Sequence, residues 1–360
     1  MNATRQLHDL GQSLWLDNIT RDILDDGTLA RHIQEYSLTG LTSNPTIFAK
    51  AIGGSEAYDA GIRAKTAEGK YGEALFIELA LEDLRRAAEL FHPVFKDTHG
   101  VDGWVSMEVS PLLASDTAAT IEAAAAIHHQ AACENLFVKI PGTPEGIPAI
   151  EESIFAGVPV NVTLLFSREQ YLAAAEAYLR GVERRVEAGL DPKVASVASV
   201  FISRWDVAVQ DKVPVELKDK LGIAIAGRTY EAYVDLLDSP RWRKLADAGA
   251  MVQRLLWAST GTKDPNASDT LYVTELAAPN TINTMPGKTI AALADHGRLH
   301  GPMATDGAAA EAMLTHFAEA GIDVHALADQ LQDDGAKAFV KSWHQLLERI
   351  AEQGRILASA

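Results

Sequence analysis

The 360-residue chain is 47% hydrophobic, enough to bury a large core, and its formal net charge of -17 argues against nucleic acid or an anionic membrane surface as a partner. Its one cysteine, Cys133, excludes an intrachain disulfide and fits a reducing compartment. No run of about 18 uninterrupted apolar residues is present, and the opening MNATRQLHDLGQSLWLDN lacks the apolar stretch of a signal peptide, so a cytoplasmic protein is expected.

Short apolar runs alternate with longer amphipathic stretches. In chain order the predicted strands are Leu14–Asp17, Leu38–Asn44, Trp104–Glu108, Leu136–Ile140, Val158–Thr163, Val194–Ser199, Arg254–Ser259 and Asn280–Pro286. Between them lie helical patterns, among them the Ala-rich Thr117–Cys133 and a helix opened by a capping box at Ser167 and Gln170. Two connections, Pro45–Gly103 and Arg204–Gln253, exceed what a βα unit needs, and the second contains a helical pattern over Val215–Leu237. Near the end, Phe339, Trp343, Leu346, Leu347 and Ile350 fall on one helical face. Alternating strands and helices imply a parallel sheet, and about eight strands suggest a closed (β/α)8 TIM barrel. The expectation is one α/β barrel domain over 1–360 with extra helical segments near 46–100, 205–250 and 300–356. An open doubly wound sheet is also compatible with the pattern alone.

Almost every run ends at a polar residue: Asp17, Asn44, Glu108, Lys139, Asn161 with Thr163, Ser199, Ser259 and Asn283. In a barrel all strand carboxyl ends share one face, where active sites are built. The plain alternative is that strands end in polar residues because loops are wet.

Lys139 lies between Val138 and Ile140. A buried strand solvates an ammonium poorly, and the neutral amine is the form that attacks a ketone carbonyl. A snorkelling or paired lysine is the structural alternative. Asp17 and Glu108 are carboxylates at two further strand ends. Cleaving a C–C bond beside an iminium needs a base, and making and hydrolysing the iminium needs a second proton carrier. Asp17 also reads as an N-cap for a helix near Thr20, and Glu108 as a partner of a nearby base. Asn44, Asn161 and Thr163 offer neutral hydrogen bonds to a polyhydroxylated substrate, although Asn44 before Pro45 also reads as a turn residue. Arg204, Ser259 and Lys263 follow the sixth and seventh strands, where barrels often bind phosphate, and Gly261 would admit an anion close to backbone. Lys263 also reads as ordinary surface charge. The chain has no H-E-x-x-H, paired-cysteine, Walker or dinucleotide motif.

Gly40-Leu-Thr-Ser-Asn-Pro-Thr46, Phe137-Val-Lys-Ile-Pro-Gly-Thr143, Asp17 in Leu16-Asp-Asn, Glu108 in Ser106-Met-Glu-Val and Asn161-Val-Thr163 together resemble the transaldolase family over about Leu14 to Pro286, with weaker similarity beyond. The resemblance implies that Lys139 forms a Schiff base and that Asp17 acts on the hydroxyl whose C–C bond breaks. Glu108 with Thr163 would hold the water of iminium formation and hydrolysis. Asn44 and Asn161 would bind the dihydroxyacetone unit. Ser199-Val-Phe-Ile-Ser-Arg204 resembles the sixth-strand segment that supplies Ser199, the aromatic wall Phe201 and the phosphate-binding Arg204. One departure follows Ser259: many members carry arginine two residues later, where this chain has Gly261, with Lys263 two further on.

The reaction implied is transfer of a dihydroxyacetone unit from sedoheptulose 7-phosphate or fructose 6-phosphate to glyceraldehyde 3-phosphate or erythrose 4-phosphate. It belongs to the non-oxidative pentose phosphate pathway, requires no metal or other cofactor, and is expected of a monomer or homodimer. A fructose 6-phosphate aldolase that uses free dihydroxyacetone is the nearest alternative. A barrel glycoside hydrolase using Asp17 and Glu108, or a non-catalytic sugar-phosphate binder, would make no use of the Lys139 amine.

Overall fold

A computed structural model describes residues 2–359. All eight expected strands are present, with ends moved by one or two residues: β1 (Ser13–Asp17), β2 (Leu38–Thr42), β3 (Val105–Glu108), β4 (Leu136–Pro141), β5 (Val160–Leu165), β6 (Ser196–Phe201), β7 (Gln253–Ala258) and β8 (Thr281–Met285). They pair in parallel in the order β2-β1-β8-β7-β6-β5-β4-β3. The two ends meet through a bridge between Gly40 and Trp104, where the Leu41 N–H donates to the Trp104 carbonyl at 3.0 Å and the Gly103 N–H to the Thr39 carbonyl at 2.8 Å. The sheet is therefore a barrel and not an open doubly wound sheet. The seam requires glycine: a Cβ at Gly40 would stand 2.6 Å from the Trp15 indole and 2.7 Å from the Trp104 carbonyl oxygen.

Side chains alternate across each strand, so every second residue points into the barrel. Trp15, Phe137, Val197, Leu256 and Ile282 fill the interior, where Trp104 stacks on Phe137 at 4.1 Å between ring centroids. Two residues further along β1 and β4, and four past Trp104 on β3, the same interior face carries Asp17, Lys139 and Glu108. Below the aromatic layer a polar plug closes the opposite end. Asp102 accepts from the Trp15 indole N–H at 2.8 Å and from the Ser13 hydroxyl, and Arg254 donates to Ser13 Oγ at 2.6 Å and to the Thr281 carbonyl at 2.9 Å.

Half of the expected capping box forms: the Ser167 hydroxyl accepts from the Gln170 N–H at 3.1 Å, while the Gln170 side chain reaches one residue further back, its Oε1 accepting from the Phe166 N–H at 2.8 Å. The helical pattern over Val215–Leu237 is interrupted. A short turn at Val215–Leu217 is followed by Asp219 at φ +59°, and the long helix begins only at Leu221 and runs to Asp238. The Asp206 carboxylate accepts from the first N–H groups of that helix, Leu221 at 2.9 Å and Gly222 at 3.2 Å, and from the Tyr272 hydroxyl at 2.8 Å. The final helix, Val324–Ser359, crosses the barrel mouth by β5 and then packs on the helix Pro45–Gly54. Of its expected apolar face, Trp343, Leu346 and Ile350 are buried, and Phe339 and Leu347 are half-buried. Among the described residues no helix is long and apolar enough to cross a membrane.

Candidate active site

Lys139 is buried in the barrel mouth, and its Nζ donates to the Ser43 carbonyl at 3.0 Å and to Glu108 Oε1. The register explains the meeting, because Glu108 and Lys139 face each other across β3 and β4. Val138 and Ile140, the chain neighbours expected to make the surroundings of Lys139 apolar, do not do so. In a strand these neighbours point to the opposite face, where they join the packing between barrel and helices. Lys139 itself faces polar partners, and its dryness comes from the barrel interior. Burial raises the pKa of Glu108, against the opposing attraction of Lys139, so that this carboxylate is a ready acceptor for the lysine proton.

Asp17 approaches the same amine from β1. Burial raises its pKa, while Lys139, Thr42, Lys263 and Asn44 act in the other direction. The Thr42 hydroxyl donates to Asp17 Oδ1 at 3.0 Å and contacts the Thr284 hydroxyl at 2.9 Å. Asp17 is not a helix cap: Thr20 fills that position, accepting from the Ile23 N–H at 3.3 Å. Asn44 does two jobs. It caps the helix at Pro45, accepting from the Ile47 N–H at 3.1 Å, and its side chain helps to oppose the upward shift of the Asp17 pKa.

Asn161 is fully buried beside Lys139 in the β4–β5 register, donating to Ser106 Oγ at 3.3 Å and accepting from the Ser199 hydroxyl at 2.7 Å. Thr163, Glu108, Lys139 and Pro141, with Ala336 and Phe339 from the final helix, enclose a cavity of about 20 Å³, room for about one water. Larger cavities exist elsewhere. The one of about 740 Å³ between the helices Leu221–Asp238 and Ala308–Glu319 contains none of the predicted site residues. Size points there, whereas the convergent titratable groups point to the barrel mouth.

Phe201 stacks on Phe166 at 5.3 Å, and the Arg204 guanidinium lies 5.8 Å from the Phe201 ring centre. Ser259, at φ +56°, shares a 2.9 Å hydroxyl contact with Ser203 and so ties the ends of β6 and β7 together. Lys263 is exposed. Its pKa is lowered by partial burial and then by the like charges of Lys288 and Arg204, so three cations share one region of the mouth. Arg204 and Lys263 were expected here; Lys288, two residues after Pro286 at the end of the eighth run, joins them unheralded by any motif. Thr42, Ser43 and Ser106 were not among the expected residues, although all three lie inside the motifs quoted above.

The family model for Transaldolase/Fructose-6-phosphate aldolase matches residues 14–350. A protein of Thermobifida fusca named "Transaldolase" is 44% identical over 358 residues, covering 97% of each chain. "Transaldolase 2" of Nostoc sp. is 39% identical over 377 residues, covering 99% of each, and "Transaldolase" of Acidothermus cellulolyticus is 44% identical over 349 residues, covering 95% of this chain and 94% of its own. The motifs, the barrel and a match along almost its whole length agree: the chain belongs to the transaldolase/fructose-6-phosphate aldolase family.

Proposed function

We propose that the chain is a transaldolase in which Lys139 carries a dihydroxyacetone unit from sedoheptulose 7-phosphate or fructose 6-phosphate to glyceraldehyde 3-phosphate or erythrose 4-phosphate. The observation that carries this is the placement of one buried amine between two carboxylates, Glu108 in contact and Asp17 within electrostatic reach. Glu108 takes the Lys139 proton, and the neutral amine attacks the ketose carbonyl. The carbinolamine loses water, with Glu108 and Thr163 handling the proton and the water in the small cavity, and an iminium forms. Asp17 takes the proton of the hydroxyl on the leaving carbon. The C–C bond breaks, its electron pair flows into the iminium to give an enamine, and the aldehyde departs. Addition to an acceptor aldehyde reverses these steps, and water then releases the product from Lys139. Asn44 and Asn161 orient the three-carbon unit. Arg204 and Lys263, with Lys288 beside them, hold the phosphate, and Ser199, Phe201 and Ser259 shape the wall.

Two carboxylates on a barrel could also serve glycoside hydrolysis, but a Glu108 committed to Lys139 is poorly placed to act as a free acid or base on a glycosidic oxygen. The test is borohydride reduction in the presence of fructose 6-phosphate. The peptide containing Lys139 gains the mass of reduced dihydroxyacetone, and Lys139→Met gains none and loses turnover. Full turnover by Lys139→Met would overturn the proposal. Free dihydroxyacetone accumulating at the full rate without an acceptor would reassign the chain to the aldolase branch of the family.

A further inference from the structure

The β5 tail beside Thr163 is irregular. Pairing with β6 shifts between Val162 and Leu165, and Leu164 sits at φ +60°, a left-handed conformation that a leucine adopts only when its surroundings impose it. That conformation turns the Leu164 peptide away from the regular ladder. The final helix meets it with Gln332, whose Nε2 donates to the Leu164 carbonyl at 2.9 Å and to the Gly142 carbonyl at 3.0 Å. Gly142 in turn donates its N–H to the Thr163 carbonyl at 2.7 Å. One side-chain amide thus holds the tails of both strands that carry Lys139 and Thr163.

The contact is closely fitted. A Cβ on Gly335, one turn along the same helix, would stand 2.9 Å from Leu164 Cδ2. The rest of the loop is pinned as well: Gln170 Oε1 accepts from the Phe166 N–H at 2.8 Å, and the Trp205 indole donates to the Phe166 carbonyl at 3.1 Å. Among the described residues Gln332 alone reaches both tails from the element that roofs the cavity, since Ala336, one turn further on, lines that cavity with Thr163 and Lys139.

We propose that Gln332 is a positioning residue that fixes the Thr163 hydroxyl over the Lys139–Glu108 pair by holding the Gly142 and Leu164 peptides. The proposal rests on the Schiff-base reading above. Because Gln332 acts on the proton and water steps at Lys139 and not on the sugar, its loss lowers kcat and leaves KM nearly unchanged.

The test uses the full chain with fructose 6-phosphate and glyceraldehyde 3-phosphate. Gln332→Met keeps the side-chain volume and removes both donors, and Gln332→Lys restores N–H donors at similar reach. Expected for Gln332→Met are a kcat about tenfold lower and a KM within about twofold of the unaltered chain, as for a catalytic group displaced by a fraction of an ångström. Its thermal midpoint stays close to that of the unaltered chain, and Gln332→Lys recovers most of the rate. An unchanged kcat in Gln332→Met overturns the proposal. So does a loss of rate that tracks a lowered thermal midpoint equally in both variants, because Gln332 would then be a structural pin only. Lys139→Met separates the two claims. If it is inactive while Gln332→Met turns over normally, the Schiff-base reading stands and the positioning role falls. If Lys139→Met is active, the reading beneath both has failed.

Discussion

The polar plug at the closed end of the barrel offers a direct test of whether stability and chemistry reside at opposite ends of this fold. Asp102 and Arg254 are 5% and 8% exposed. Asp102→Ala removes the acceptor of the Trp15 indole and of the Ser13 hydroxyl, together with the only carboxylate paired with Arg254 among the described residues, at 3.7 Å. Removing one partner of a buried pair costs about 3–5 kcal/mol, because the remaining charge stays buried without compensation. Arg254 keeps the Ser13 hydroxyl and the Thr281 and Val101 carbonyls, so the middle of that range, about 4 kcal/mol, is expected. For 360 residues at about 2.1 cal/mol/K each, this corresponds to a thermal midpoint lowered by about 5 °C. Urea unfolding followed by tryptophan fluorescence measures the loss, with Trp15 next to the altered site. The kcat/KM of the folded protein should stay within about twofold, because the proposed catalytic groups lie two layers away at the strand carboxyl ends. A stability loss below about 1 kcal/mol, or a kcat/KM that falls with it, would refute the reasoning.

Asp17→Asn should still be labelled by borohydride with fructose 6-phosphate yet lose turnover by about a hundredfold or more, since it removes the base for C–C cleavage and leaves Lys139 and Glu108 intact; mass mapping beside a turnover assay decides. Lys263→Met and Lys288→Met should each raise KM for phosphorylated donors about tenfold, the weight of one charge-assisted hydrogen bond, and should leave the rate with an unphosphorylated ketose unchanged. Equal effects on both kinds of donor would place the phosphate elsewhere. Burial pushes Asp206 up to about 6 from 3.8. The folded protein therefore holds that proton after the unfolded chain has released it, so the contribution is present below about pH 4 and lost as pH rises through about 6, by about 3 kcal/mol. Asp206→Asn should flatten the urea midpoint over that interval, and parallel profiles for the two proteins would contradict it.

Much of this site is legible in the sequence because a strand repeats every two residues and a barrel gathers its strand ends. That is how Asp17, Glu108, Lys139 and Asn161, far apart in the chain, can be assigned to one face. The same periodicity shows where the reading erred: Val138 and Ile140 are chain neighbours of Lys139 but lie on the other side of its strand. Partners that are backbone groups are invisible to side-chain patterns, as with the Ser43 carbonyl on Lys139 or the Leu164 carbonyl on Gln332. The break at Asp219 was missed for a related reason. The helix begins where the distant Asp206 caps it, and local propensity alone would have begun it earlier.

The order of synthesis adds a consequence. All eight strands, and every side chain assigned to the reaction, precede residue 289, whereas Phe339 and Ala336, which close the cavity over Lys139, belong to a helix that starts at Val324. A ribosome therefore delivers Lys139 before it delivers its cover. Until that last helix arrives, the mouth around Lys139 lacks the Ala336 and Phe339 wall of its cavity.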